Sequence, residues 1–202
     1  MSRNFAVLGK SSERISAPAA ADSPAVQPAQ HPGEYSQLIQ RLFQDSSVVA
    51  IIGAGPADSV TGICETIASE LSRLGKRVVL VSVQRLLPMN PITLPDETTF
   101  MPGPARNVWI WPSPMGQQIE FFKPRLPQGA ENWLDALRRN FDSVLLDCPA
   151  VETAPLGVAI AARADAAVLA VEAARTPKSQ ILRDQRSLEL SGVKLAGCIL
   201  IK

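Results

Sequence analysis

Histidine, cysteine and aromatic side chains are scarce: one His, three Cys and one Tyr in 202 residues, with aromatic residues at 5%. His31 lies far from Cys64, Cys148 and Cys198, and the cysteines lack CxxC spacing, which excludes a clustered metal site and a disulfide framework. Reduced thiols in a cytosolic protein are expected. Neither sign of charge is in excess, with 20 Lys and Arg against 19 Asp and Glu. No block of like charge marks a nucleic-acid footprint or a membrane-surface patch, so no nucleic-acid partner is expected. A run of about twenty apolar residues is also missing, and Met1–Lys10 lacks the apolar stretch of a signal peptide. The expectation is a cytoplasmic protein with no direct membrane insertion.

What is present is apolar sequence in short, regular pieces. With 46% hydrophobic residues, the chain can bury one sizeable core. Residues 11–33 are rich in Ala, Pro and Ser and carry almost no large apolar side chains, which predicts a disordered N-terminal arm over 1–33 and a single domain over 34–202. In "EYSQLIQRLFQ", Tyr35, Leu38, Ile39, Leu42 and Phe43 recur at helical spacing, predicting an amphipathic helix. Beyond it, "SVVAIIGA", "KRVVLVSV", "NVWIWPS", "DSVLLDC", "AAVLAVEA" and "KLAGCILI" read as strands. Helical stretches near 61–74, 131–140, 155–163 and 178–191 separate them. Continuous Val, Ile and Leu runs alternating with helices predict an α/β fold, a doubly wound and mostly parallel sheet flanked by helices. Between Leu86 and Pro127, proline excludes long helices and predicts loops around one strand. Trp109, Trp111, Phe121 and Phe122 fall in this stretch, and core packing is the expected role of aromatics there.

The stretch "VVAIIGAGPADSVTG", Val48 to Gly62, poses the functional question. A dinucleotide fingerprint needs G-x-G-x-x-G and an acid at the end of the second strand. Gly53 and Gly55 fit, but Asp58 replaces the third glycine and the second strand ends at Ser82. A P-loop needs glycines for a phosphate-wrapping backbone, a Lys for the outer phosphates and a Ser or Thr for magnesium. Taken alone, the stretch lacks these too.

The wider chain resembles the cytoplasmic domain of bacterial tyrosine autokinases of capsular and exopolysaccharide synthesis, relatives of the MinD and ParA branch of P-loop ATPases. "PADSVTGICETIA", Pro56 to Ala68, lies without gaps on the family's "PGEGKSTxAxNLA". "GKRVVLVSVQR" takes the place of "GxKVLLIDxDxR", and "NFDSVLLDCPAV" is similar to the Walker B segment "YDxVIIDTPPV". "RADAAVLAVEAARTPKSQI" and "SGVKLAGCILIK" follow in collinear order. The resemblance therefore implies a P-loop NTPase-like fold and a nucleotide site at Gly55, Pro56, Ala57, Asp58, Ser59, Val60, Thr61, Arg85 and Asp147. Thr61 and Asp147 match its magnesium-binding positions.

Measured against that pattern, the motifs are degenerate. Val60 stands at the Lys position, Ala57 and Ser59 at glycine positions, and Ser82 and Gln84 at two aspartate positions, leaving Arg85. Phosphoryl transfer depends on charge neutralisation and positioning, so negligible kinase activity is expected, with no catalytic residue assigned. Only one tyrosine, Tyr35, is present, without the family's Tyr-rich tail. The family's oligomerising Glu-x-x-Arg-x-x-Arg pattern falls on Gly33, Ser36 and Ile39. The reading is a pseudoenzyme: a cytosolic accessory of exopolysaccharide or capsule synthesis and export, without a bound cofactor. It would contact a membrane polysaccharide co-polymerase or export component, through which it is peripheral at the inner membrane, and it could form a homo-oligomer. The alternative is an atypical ATPase or tyrosine kinase regulating chain length, holding ATP or ADP with magnesium through Thr61, Asp147 and Arg85.

Overall fold

A computed structural model of the chain describes residues 5–8, 39–55, 60–86, 100–111 and 133–201. Among these, eight strands form one sheet in the order β1-β8-β7-β2-β6-β3-β5-β4. They are β1 (Phe5–Leu8), β2 (Val48–Ala54), β3 (Val78–Ser82), β4 (Met101–Pro102), β5 (Val108–Trp111), β6 (Ser143–Cys148), β7 (Ala166–Glu172) and β8 (Leu195–Ile201). The six strands from β8 to β5 are parallel, and the short strands β1 and β4 close the two ends antiparallel. Helix α1 is described over residues 39–43. It is followed by α2 (Val60–Arg73), α3 (Val83–Leu86), α4 (Trp133–Asn140), α5 (Pro155–Ala161) and α6 (Lys178–Leu190).

The period of two along each strand sorts side chains onto two cores. On β2, Val49 and Ile51 face a cluster with Ile39 and Leu42 of α1 and the apolar stripe of α2. Val48, Ala50, Ile52 and Ala54 face the other cluster, with Trp133, Leu137, Val158 and Leu188 of α4, α5 and α6. Helix α2 forms because Val60, Ile63, Cys64, Ile67, Ala68 and Leu71 recur every three or four residues, all of them buried. Burying each of its Ile and Leu side chains is worth about 1.5–3 kcal/mol. Gly75 ends the helix at φ +81°, where the amide of Lys76 reaches back to the Leu71 carbonyl at 3.1 Å.

The expected doubly wound, mostly parallel sheet is present, and each expected strand has a counterpart. Within 1–33, residues 5–8 are described and form β1; the remainder, with Tyr35 and Leu38 of the predicted first helix, lies outside the described residues. Their four-residue apolar run falls at the short limit for a strand pattern and reads as a strand once β8 offers it an edge. Helix α3, which starts at Val83 where the strand reading ended, and β4 in the proline-rich region were likewise unforeseen. Trp111 is buried and Trp109 half-buried against Phe141, with ring centroids 5.6 Å apart. Phe121 and Phe122 lie outside the described residues. Among the described residues no helix is long and apolar enough to cross a membrane.

Two carboxylates anchor strand starts. Asp165 accepts hydrogen bonds from the amides of Ser47 (3.0 Å) and Val48 (2.9 Å) and pairs with Arg138 at 2.8 Å, tying α4 and the start of β7 to β2. Burial opposes ionisation of Asp165, but these partners hold its carboxyl below the ordinary range. Asp142, before β6, accepts from the Arg77 amide (2.8 Å) and guanidinium (2.9 Å), before β3. The side-chain hydrogen bond from Arg77, then its amide, lower the Asp142 carboxyl to about 2.

A depressed native pKa means that the stabilisation is present above the unfolded carboxylate range and is lost as pH falls toward the native value. Thermal unfolding of the wild type and Asp142→Asn between pH 7 and 2 should therefore show a gap that narrows below about pH 4 and vanishes near about 2. A gap independent of pH would contradict the ionic clamp.

Candidate functional site

The sheet places its candidate site by connectivity. β2 leads through α2 to β3, two strands away, while β6, lying between them, leads through α5 to β7 on the other side of β2. The connections run to opposite sides from there, and ligands of open α/β sheets bind at the carboxyl ends of the strands at such a switch point. Asp147 sits there on β6, paired in register with Ile51 of β2 and Ser82 of β3.

A cleft of about 530 Å³ opens at this place, walled by Thr61 and Glu65 of α2, Ser82, Gln84, Arg85 and Asp147, with Val60, Leu80, Met101, Ile110 and Pro149 beneath. Thr61 Oγ1 donates to Asp147 Oδ2 at 2.8 Å. Burial pushes the Asp147 carboxyl up; the Thr61 hydrogen bond opposes this, Glu65 adds to it and Arg85 opposes it. Among the described residues, the charged groups facing the cleft are thus two carboxylates and one guanidinium.

Val60 is 5% exposed and belongs to the apolar cluster with Ile51, Ile63 and Ile67. The position at which the resemblance expects a phosphate-binding Lys therefore starts the core stripe of α2. Pro56, Ala57, Asp58 and Ser59 lie outside the described residues. Of the other expected site residues, Thr61, Asp147 and Arg85 share the cleft with Val60, while Gly55 lies at the end of β2. Cys64 and Cys148 are buried on opposite sides of the sheet, and burial raises both thiols. Among the described residues no three His, Cys, Asp or Glu side chains gather to hold a metal.

Sequence reasoning missed the contribution of α6. Gly55 has φ +87°, and a Cβ there would come within 3.2 Å of Gln180 Nε2. Thr176 Oγ1, just before the helix, donates to the Ala54 carbonyl at 3.2 Å. The backbone leaving β2 is thus held from the α6 side, and one turn on, Asp184 is buried, its Oδ2 without a hydrogen-bond partner among the described residues. The i, i+4, i+8 spacing of Thr176, Gln180 and Asp184 carried that signal.

No family model matches the chain, and a search of curated proteins found no match. Among solved structures, the BceF tyrosine kinase domain is 20% identical, covering 82% of this chain and 73% of its own, with a TM-score of 0.60. The VpsO kinase domain is 16% identical, covering 83% of this chain and 90% of its own, at 0.64. The kinase domain of Escherichia coli tyrosine kinase ETK is 14% identical, covering 81% and 71%, at 0.56. The chain has the fold of a bacterial tyrosine kinase domain. On that kinase-domain fold, the present cleft combines the Thr61–Asp147 pair with an apolar residue, Val60, at its floor.

Two outcomes test this geometry. Asp147→Asn keeps an acceptor for Thr61 and removes a buried charge, so it should leave stability unchanged or raise it by up to about 1 kcal/mol, or about 2–4 °C in Tm; a large fall would make Asp147 structural. Gly55→Ala should cost about 1–2 kcal/mol from its left-handed backbone, and denaturant unfolding should find part of that cost recovered in Gly55→Ala/Gln180→Ala. Equal costs in both backgrounds would exclude the contact.

Proposed function

We propose that this chain is a catalytically degenerate member of the polysaccharide-synthesis tyrosine autokinase group, acting by protein contacts rather than phosphoryl transfer. Its partner would be a membrane co-polymerase or export component of exopolysaccharide or capsule synthesis, which would bring it to the inner membrane. The observation that carries this reading is the burial of Val60 in the α2 core stripe, beside a cleft whose charged groups among the described residues are Glu65, Asp147 and Arg85. A bound triphosphate carries several negative charges, and two carboxylates against one guanidinium repel it. Ser82, in register with Asp147, brings no second carboxylate to organise magnesium. The described residues therefore do not fit ATP with magnesium.

A second reading, atypical nucleotide binding, is favoured by one feature: Thr61, Asp147 and Arg85 line the same cleft, the first two in direct hydrogen bond. Calorimetric titration with ATP–magnesium and with ADP separates the readings. The accessory reading expects no micromolar, magnesium-dependent binding, whereas such binding would overturn it. Val60→Lys combined with Ser59→Gly should then partly restore nucleotide affinity; no gain would count against the alignment of this loop with a P-loop.

A further inference from the structure

We infer that the cleft at the carboxyl end of the sheet takes an arginine side chain of a protein partner, its guanidinium on Asp147 and Glu65 and its stem on the apolar floor. The inference rests on the accessory reading above and names the chemistry of the contact. Asp147 accepts from Thr61 at Oδ2, and its Oδ1 accepts no hydrogen bond among the described residues. Elsewhere in the fold carboxylates are paired: Asp142 with Arg77, Asp165 with Arg138, Glu152 with Arg183. Among the described residues neither Asp147, Glu65 nor Arg85 is in an ion pair, although all three line one cleft. Burial pushes the Asp147 carboxyl up, and Glu65 is close enough to add to the effect. A half-buried carboxylate with a second one beside it is a place where an arriving cation is strongly favoured.

The lining selects among cations. Under the charges, Val60 and Leu80 are buried and Met101 and Ile110 half-buried. A hydrated metal ion gains nothing from such a floor, whereas an arginine lays its methylene stem along apolar surface and keeps its charged head among polar groups. The planar head presents five donors and engages a carboxylate through two parallel bonds, which an ammonium cannot do. Asp147 Oδ1, the Glu65 carboxylate and the side-chain oxygens of Ser82 and Gln84 supply acceptors around it. Glu65, Gln84 and Arg85 are exposed, so the cleft is open to a side chain standing on another protein's surface.

Arg85 gives the inference a sign. At the same cleft it repels a guanidinium and attracts an anion, so its removal must strengthen binding of the one and weaken binding of the other.

The test uses the full chain and two-dimensional amide NMR spectra, with a capped pentapeptide of one central arginine flanked by alanines as the probe. Signals of Thr61, Glu65 and Asp147 should shift with a dissociation constant on the order of 1 mM, as expected for a single charged anchor. Asp147→Asn should weaken binding about 10-fold and Glu65→Gln about 3-fold, while Arg85→Gln should strengthen it about 3-fold. The lysine analogue should bind more weakly, and the norleucine analogue should leave the signals in place. Equal binding of the norleucine analogue, weakening in Arg85→Gln, or the same shifts with magnesium chloride alone would each overturn the arginine site. If neither the arginine peptide nor ATP with magnesium binds, this inference falls and the accessory reading stands; micromolar ATP–magnesium binding overturns both.

Discussion

Strand β2 has no face open to water. Val49 and Ile51 are covered by α1 and α2, and Val48, Ala50, Ile52 and Ala54 by the opposite cluster. Its neighbours β6 and β7 are parallel to it, the arrangement in which crossover helices cover both faces of a sheet. Strand β2 must also release its chain at the carboxyl end of the sheet, where Gly55 has positive φ. The cleft, its Thr61–Asp147 pair and the α6 contact at Gly55 all follow from that exit. Asp165 fixes the opposite end of the same strand through two backbone amides and Arg138.

At the exit, packing and phosphate chemistry compete for one residue. The first position of α2 lies at the head of its apolar stripe, and Val60 fills it with a side chain that belongs to the core. A Lys at this position would have to run its stem along that apolar surface and raise its ammonium into the cleft. Val60 gives the core a branched apolar group and the cleft no cation, and among the described residues Asp147 and Glu65 outnumber Arg85 there. Ser82 faces Asp147 across the β3–β6 register without adding a charge. On the proposed reading, the described residues keep the shape of a ligand site with a charge that does not suit a polyphosphate.

Much of this was legible in the sequence because strands buried on both faces read as unbroken Val, Ile and Leu runs, and "VVAIIGA", "SVLLDC" and "AAVLAVE" are such runs. The joining of Thr61, Asp147 and Arg85 at one cleft was legible only through collinear resemblance, since eighty-six residues separate the first two. Periodicity carries no information on which strand ends meet. The burial of Val60 could be read from the i, i+3, i+4 stripe of α2, yet its consequence for the cleft needed the sheet order. Strands β1 and β4 escaped notice because short antiparallel edges take their stability from the strand beside them. Gln180 and Thr176 escaped because polar side chains at the start of a helix ordinarily read as solvated.

Thermal unfolding with and without ligand tests the proposed loss of nucleotide binding most directly, because a ligand bound only to the native state must raise its stability. At 1,000 times its dissociation constant, a nucleotide adds about 4 kcal/mol, which for a domain of this size is roughly 10 °C in Tm. With millimolar ATP and magnesium, the account predicts no rise in Tm beyond that produced by magnesium with pyrophosphate. A nucleotide-specific rise of several degrees, lost in Thr61→Ala and in Asp147→Ala, would contradict it.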